Sequence, residues 1–295
     1  MIWQTTRFQI DLAQPQVMGI VNITPDSFSD GGQHASTSAA LAHCEQLLRD
    51  GAHMLDIGAE STRPGAHPVP AEQELARLLP VLRAATALGV PISVDTYKPQ
   101  VMRSALDAGV DIVNDIWALR WTDPFYPLAA TEVVMQHPSC GVCLMHMHRD
   151  PQTMQAEPMQ EDVVPQVLLF LEQQAQKLSA LGIEKTRIVL DPGIGFGKTV
   201  AQNFALLARQ QALLALGYPL LVGWSRKSSL AGMANVHLGL GERLIPSVAA
   251  ALLAVDRGAR VVRVHDVGAT VQALKVWVAA DRSAHDFPKL PQALV

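Results

Sequence analysis

Eight short apolar runs along the chain end abruptly on a polar residue or a glycine, and most of these end residues are of types that do chemistry. The runs close at Asn22, Asp56, Asp95, Asn114, His146, Asp191, Gly223 and the stretch from Arg263 to His265. Carboxylates and carboxamides such as Asp95, Asn114 and Asp191 supply paired acceptors and donors for a flat, nitrogen-rich ligand edge. Arg63, Arg263 and His265 can hydrogen-bond phosphate oxygens, and Asn22 can offer a carbonyl oxygen to a hard metal ion. A single aspartate after a strand can equally do no more than cap the next helix, so each residue gains weight from the others that stand with it.

A repeating element must position these residues. Most runs are entered through a glycine suited to ending the preceding helix, as in Gly51-Ala52-His53-Met54-Leu55-Asp56 and Gly89-Val90-Pro91-Ile92-Ser93-Val94-Asp95. Helix, glycine, buried strand and polar end form the cadence of a parallel β/α protein, because strands covered by helices read as continuous apolar runs. Eight such units predict an α/β fold closed into a (β/α)8 barrel (TIM barrel), with the active site at the carboxyl ends of the strands. One domain is expected over residues 1–295. Within it, 1–16 reads as an N-terminal strand or hairpin at the barrel bottom, where Phe8, Ile10 and Leu12 alternate with polar neighbours, and 283–295 as a fraying tail. Pro124, Pro127 and Pro138 make 117–141 a loop plus a short helix, while 166–181 reads as an amphipathic helix with 157–165 as its lead-in.

Composition excludes several classes. At 295 residues, 49% hydrophobic and 17% charged, the chain is long enough to bury a large core. A net charge of -4 argues against a nucleic-acid surface and against a polybasic membrane anchor. No apolar stretch has the length of a membrane span, and Arg7 and Asp11 fall where a signal peptide needs an apolar block. Three cysteines suit a reducing compartment, so the cytoplasm is expected.

Five segments carry a specific resemblance. Met18-Gly19-Ile20-Val21-Asn22-Ile23-Thr24-Pro25-Asp26-Ser27-Phe28-Ser29-Asp30-Gly31-Gly32 and Asp56-Ile57-Gly58-Ala59-Glu60-Ser61-Thr62-Arg63-Pro64-Gly65 are similar to the two signature segments of dihydropteroate synthase. Asp191-Pro192-Gly193-Ile194-Gly195-Phe196-Gly197-Lys198, Ser225-Arg226-Lys227-Ser228 and Arg263-Val264-His265-Asp266 match the same family in the same order. The resemblance runs from about residue 17 to 278. It implies a transferase of folate biosynthesis, a target of sulfonamides, that joins 7,8-dihydropterin-6-ylmethyl pyrophosphate to 4-aminobenzoate. It implies Asp95, Asn114, Met145, Asp191, Gly223, Lys227 and Arg263 around the pterin. Asn22, Arg63, Arg263 and His265 would stand around the pyrophosphate, with Mg2+ on Asn22. Thr62, Pro64, Phe196 and Ser228 would line the aminobenzoate site. Asp30, Lys227 and Arg263 would serve the chemistry, with Asp26 either joining Asp30 or merely forming a turn. A homodimer is also implied, with 245–255 as a candidate interface.

A dihydropterin stabilises positive charge at its methylene carbon, so the carbon–oxygen bond can break before the aniline nitrogen attacks. Two rivals share parts of this pattern. A pterin-dependent corrinoid methyltransferase would need the pterin-edge residues but neither the pyrophosphate loop nor the Ser225-Arg226-Lys227-Ser228 segment. A silent pterin-binding paralogue would not need every site residue.

Three other motifs carry less. His146 and His148 share a strand face, a metal-binding spacing, but no histidines close the neighbouring strands. The run from Gly193 to Thr199 has Pro192 where a P-loop needs its first glycine, and Lys198 where a dinucleotide fingerprint needs its third. Cys140 and Cys143 have redox spacing, yet the second falls inside an expected strand.

Overall fold

The computed structural model describes residues 1–23, 32–63, 65–232 and 238–286, and only the backbone of 32–36 and 282–286. An antiparallel hairpin, β1 (Ile2–Gln4) and β2 (Gln9–Asp11), precedes a closed barrel of parallel strands. These are β3 (Gln16–Asn22), β4 (Met54–Gly58), β5 (Ile92–Asp95), β6 (Ile112–Asp115), β7 (Gly141–Met145), β8 (Ile188–Asp191), β9 (Leu220–Val222) and β10 (Ala259–Val264). They follow one another round the barrel in chain order, and β10 closes it against β3. The largest departure from the sequence reading is at β4, which ends on Gly58 rather than Asp56.

The connecting helices form the outer ring. They are α1 (Gly32–Arg49), α2 (Ala71–Ala85), α3 (Pro99–Asp107), α4 (Ala130–Gln136), α5 (Val163–Ala180), α6 (Val200–Ala208), the short α7 (Gln211–Leu214) and α8 (Ser228–Ala231), α9 (Leu244–Asp256) and α10 (Val267–Asp286). No helix among the described residues is long and apolar enough to cross a membrane. Helix α5 starts at Val163, earlier than residue 166, because the Asp162 carboxylate accepts the Val164 N–H at 3.1 Å and caps it. Pro165 then falls in the first turn, where its missing N–H costs nothing. Helix α10 runs to Asp286, beyond residue 283 where the sequence reading placed the tail.

The alternation of strand side chains builds two apolar layers. Outward residues such as Leu55, Ile57, Val113, Leu144 and Leu190 pack against the helices, while Met18, Met54, Ile112, Cys143, Val189, Leu221 and Val261 fill the barrel. Trp3, Ile10 and Leu12 of the N-terminal segment close this inner layer from below. Trp3 is fully buried and donates from Nε1 to the Arg187 carbonyl at 3.0 Å. Gly141 gives it room, since a Cβ there would meet Trp3 Nε1 at 3.0 Å and the Gln4 carbonyl oxygen at 3.2 Å.

Two residues further along, the same inward face carries Asp56, Asn114, Met145, Asp191, Gly223 and Arg263. The polar residues therefore stand directly on an apolar floor at the carboxyl end of the barrel. That is where side chains of a parallel barrel leave the core.

Candidate active site

Arg263 is the centre of the polar group. Its Nε donates to Asp56 Oδ2 and its Nη2 to Asp95 Oδ2, each at 2.5 Å, and Asn114 Nδ2 donates to Asp56 Oδ2 at 3.0 Å. Asp56 is fully buried, and its other carboxylate oxygen has no hydrogen-bond partner among the described residues. Burial raises the Asp95 carboxyl to about 7; Arg263 opposes the rise and Asp56 adds to it. Asp56 is the residue that sequence reasoning missed, having read it only as a strand end. Its signal was present, since it lies two residues beyond the interior Met54, as Asn114 lies two beyond Ile112.

Across the barrel, Asp191 Oδ1 accepts the Gly193 N–H at 2.7 Å, and burial raises its carboxyl while that N–H and Lys227 oppose the rise. Lys227 precedes α8 and places Nζ 4.3 Å over the Phe196 ring. Burial and then Arg263 push its ammonium down to about 8, so it is protonated at pH 7. Met145 and Phe196 belong to one apolar cluster with Tyr97, Ile116, Met147 and Met154. Three carboxylates, Asp56, Asp95 and Asp191, thus face two cations, Arg263 and Lys227, beside an apolar wall. A dry site with excess acceptors suits a flat ligand edge rich in N–H donors.

The turn at residues 193–197 owes its shape to Lys198. The buried Lys198 Nζ donates to the carbonyls of Gly193 at 2.8 Å and Phe196 at 3.2 Å, and to His146 Nδ1 at 2.9 Å. Lys198 therefore fixes Phe196 rather than cradling a phosphate. Burial and the Lys198 ammonium hold His146 neutral at about 2, and its ring stands edge-on to Phe170 at 4.9 Å. His146 is thus committed to the helix layer, and among the described residues no cluster of His, Cys, Asp or Glu can hold a metal. Cys140 and Cys143 are buried free thiols whose pKa values burial pushes up.

The remaining predicted residues lie at the rim. Asn22 is exposed at the end of β3, beside Gly58 of β4. His265 Nδ1 pairs with Ser225 Oγ at 3.0 Å. Burial, Arg263 and Arg226 push its imidazole down to about 3, so at neutral pH it acts as an uncharged hydrogen-bonding group. Thr62 and the exposed Arg63 lie on the loop after β4, and Ser228 is exposed at the start of α8. Asp26, Asp30 and Pro64 lie outside the described residues. The segment 117–141 contains α4, as its sequence predicts, and begins with a turn in which the Asp115 carboxylate accepts the N–H groups of Trp117 at 2.8 Å and Leu119 at 2.6 Å. That turn sets Trp117 and Trp121 against the apolar cluster of the site.

Comparison with known proteins gives a consistent result. The family described as pterin binding enzyme matches residues 18–265. Dihydropteroate synthase of Neisseria meningitidis serogroup B is 49% identical over 283 residues, covering 94% of this chain and 97% of that protein. Among solved structures, Xanthomonas albilineans dihydropteroate synthase with 4-aminobenzoic acid gives a TM-score of 0.84 at 47% identity, over 92% of this chain and 95% of that one. Burkholderia cenocepacia dihydropteroate synthase complexed with 7,8-dihydropteroate gives 0.86 at 46% identity, over 97% and 98%.

The turn that carries Phe196 yields a test of the geometry. Gly193 has φ +68°, and a Cβ there would fall on the His146 carbonyl oxygen. Gly193→Ala is expected to destabilise the protein by about 2–5 kcal/mol, from left-handed strain and overpacking together. Gly223→Ala, with open space around its Cβ, serves as the control. Equal denaturant midpoints for the two variants would contradict this placement of the turn.

Proposed function

We propose a division of labour among these residues from one premise: the chain belongs to the pterin binding enzyme family and, within it, to the dihydropteroate synthases. Dihydropteroate synthases are transferases that join 7,8-dihydropterin-6-ylmethyl pyrophosphate to 4-aminobenzoate, giving 7,8-dihydropteroate and pyrophosphate. The observation that carries the assignment of roles is the convergence of Asp56, Asp95, Asn114 and Asp191 at one end of the barrel, around Arg263 and beside Lys227. In this reading Asp95, Asn114 and Asp191 pair with the pterin ring edge. The unpartnered oxygen of Asp56 adds an acceptor, and Met145 and Gly223 leave a smooth wall for the ring. Lys227 and Arg263 hold the ring from the cationic side. Arg63, Arg263 and His265 face the pyrophosphate, and Thr62, Pro64, Phe196 and Ser228 receive the aminobenzoate.

The reaction then proceeds by departure before attack. The methylene carbon–oxygen bond breaks, and its electron pair leaves with pyrophosphate onto the Arg63 and Arg263 donors. The ring spreads the resulting positive charge, with Asp30 as a counter-charge. The aniline nitrogen forms the new carbon–nitrogen bond and releases its proton to water or to the departed pyrophosphate. Preorganised charge at each developing centre lowers the barrier without side chains that exchange protons.

Among the described residues, Mg2+ fits the donor set through Asn22. An exposed carboxamide oxygen at a strand end is one hard ligand, and this ion characteristically takes the rest from phosphate and water. When bound it would neutralise charge on the departing pyrophosphate. The silent-paralogue and corrinoid-transfer readings are not favoured, since relatives matching nearly the whole chain are dihydropteroate synthases. We assign the enzyme to the cytoplasm, consistent with its three buried free thiols.

Exposed apolar side chains on α9 and α10 support a homodimer, with Ile245 79% exposed and Val276 71%. Sedimentation velocity at micromolar concentration is expected to give a dimer mass, and a monomer mass would remove this assignment.

Release of pyrophosphate should be strongly stimulated by aminobenzoate, should require Mg2+, and should stop in excess chelator. Lys227→Ala and Asp191→Ala each lose a charge-assisted contact of about 1.5–3 kcal/mol or more, or roughly 10- to 100-fold in turnover, while staying folded. Folded variants with wild-type turnover would refute the pterin-edge assignment, and pyrophosphate release that aminobenzoate neither speeds nor couples to formation of 7,8-dihydropteroate would refute the transfer reaction.

A further inference from the structure

One buried charged cluster beside the site has no part in the reaction as described. Lys98, the residue before α3, sends its ammonium between the carboxylates of Glu60, just beyond β4, and Glu74, in the first turn of α2, the latter at 2.5 Å. The side chains of Lys98, Glu60 and Glu74 are 5%, 8% and 0% exposed. Tyr97 donates its hydroxyl to the other oxygen of Glu60 at 2.8 Å, and Trp121 meets the Tyr97 ring edge-on at 5.1 Å. A second tether from α2 reaches the same place, where Arg77 Nη1 donates to the Ala59 carbonyl at 3.3 Å.

Such a cluster is a poor device for stability alone. Two buried carboxylates around one ammonium leave excess charge out of water, and apolar residues of similar volume often pack two elements at lower free energy. Burial accordingly raises the Glu74 carboxyl against the pull of Lys98. What these contacts share is the end of β4, and the chain runs from Glu60 directly into Ser61, Thr62 and Arg63. The far side of that loop is tied as well. The Gly65 N–H donates to the Pro151 carbonyl at 3.2 Å, and the Ala66 N–H to the Arg63 carbonyl at 3.0 Å.

We infer that Glu60, Glu74, Tyr97 and Lys98 are positioning residues that fix the foot of the loop bearing Thr62 and Arg63, and so set the enzyme's affinity for aminobenzoate. The inference rests on the assignment of Thr62 to the aminobenzoate side. The pterin-edge residues are held by their own bonds to Arg263 and Gly193, none of which passes through Glu60. Loosening the foot of the loop should therefore spare recognition of the ring.

Glu60→Gln, Tyr97→Phe and Thr62→Ala separate these roles. Glu60→Gln weakens the ion pair at constant shape, and Tyr97→Phe removes only the hydroxyl while keeping the ring against Trp121. For both we expect the KM for aminobenzoate to rise at least fivefold. Binding of 6-hydroxymethyl-7,8-dihydropterin, which lacks the pyrophosphate, should stay within twofold of wild type by calorimetry. Glu60→Asp should recover less of the affinity than the wild-type length gives. The inference is overturned if the aminobenzoate KM stays within twofold in both variants, or if aminobenzoate and dihydropterin affinities fall together. Should Glu60→Gln not fold, Tyr97→Phe decides alone. A raised aminobenzoate KM in Thr62→Ala with none in Glu60→Gln or Tyr97→Phe rejects the positioning role only. No effect in Thr62→Ala rejects the loop assignment and the inference with it.

Discussion

A guanidinium shared by two carboxylates inside the barrel is the constraint on which the rest of the site depends. Arg263 on β10 reaches Asp56 on β4 and Asp95 on β5, strands that are not its neighbours, so the contact spans the barrel interior above the apolar floor. Removing one partner of such a buried group typically costs about 3–5 kcal/mol, because the remaining charge is stranded out of water. The arrangement is therefore stable only as a set. It holds Asn114 through Asp56 and, among the described residues, leaves one buried Asp56 oxygen as unused acceptor capacity. A ligand edge of N–H donors satisfies that capacity, and water does so only at the cost of wetting the site.

The same arrangement explains the unequal burial of the site. Most residues assigned to the ring stand on strands, as Asn114 and Asp191 do two residues beyond Ile112 and Val189, and inherit the rigidity of the packed core. Residues assigned to pyrophosphate and aminobenzoate stand mostly at the rim, such as Asn22 at the end of β3, Arg63 on the loop after β4 and Ser228 at the start of α8, where exposure allows entry and departure. The turn at 193–197 is the exception, because Lys198 ties it to the core through two carbonyls and His146.

Much of this was legible in the sequence. Continuous apolar runs ending on Asn22, Asp95, Asn114 and Asp191 identified the strands and the mouth of the barrel, because burial on both faces leaves that pattern and little else does. The alternation of Phe8, Ile10 and Leu12 gave away the hairpin plug. What stayed hidden was long-range pairing. Asp56 was visible only as a strand end, since nothing local to it shows that Arg263 crosses the barrel to meet it. Lys198 looked like a failed phosphate-binding motif, because its partners are backbone carbonyls, which carry no sequence signature. The start of α5 was set three residues late, since Pro165 reads as a helix breaker until the Asp162 cap puts it in the first turn.

The central claim is that the Asp56–Arg263–Asp95 group presents a preformed acceptor edge to the pterin. Calorimetric titration of 6-hydroxymethyl-7,8-dihydropterin into wild type and Asp95→Asn tests it most directly, because this ligand lacks the pyrophosphate and isolates the ring contacts. A charge-assisted contact is worth about 1.5–3 kcal/mol, so affinity should fall at least roughly tenfold in a variant that still unfolds cooperatively. An affinity within twofold of wild type in that folded variant would contradict the account.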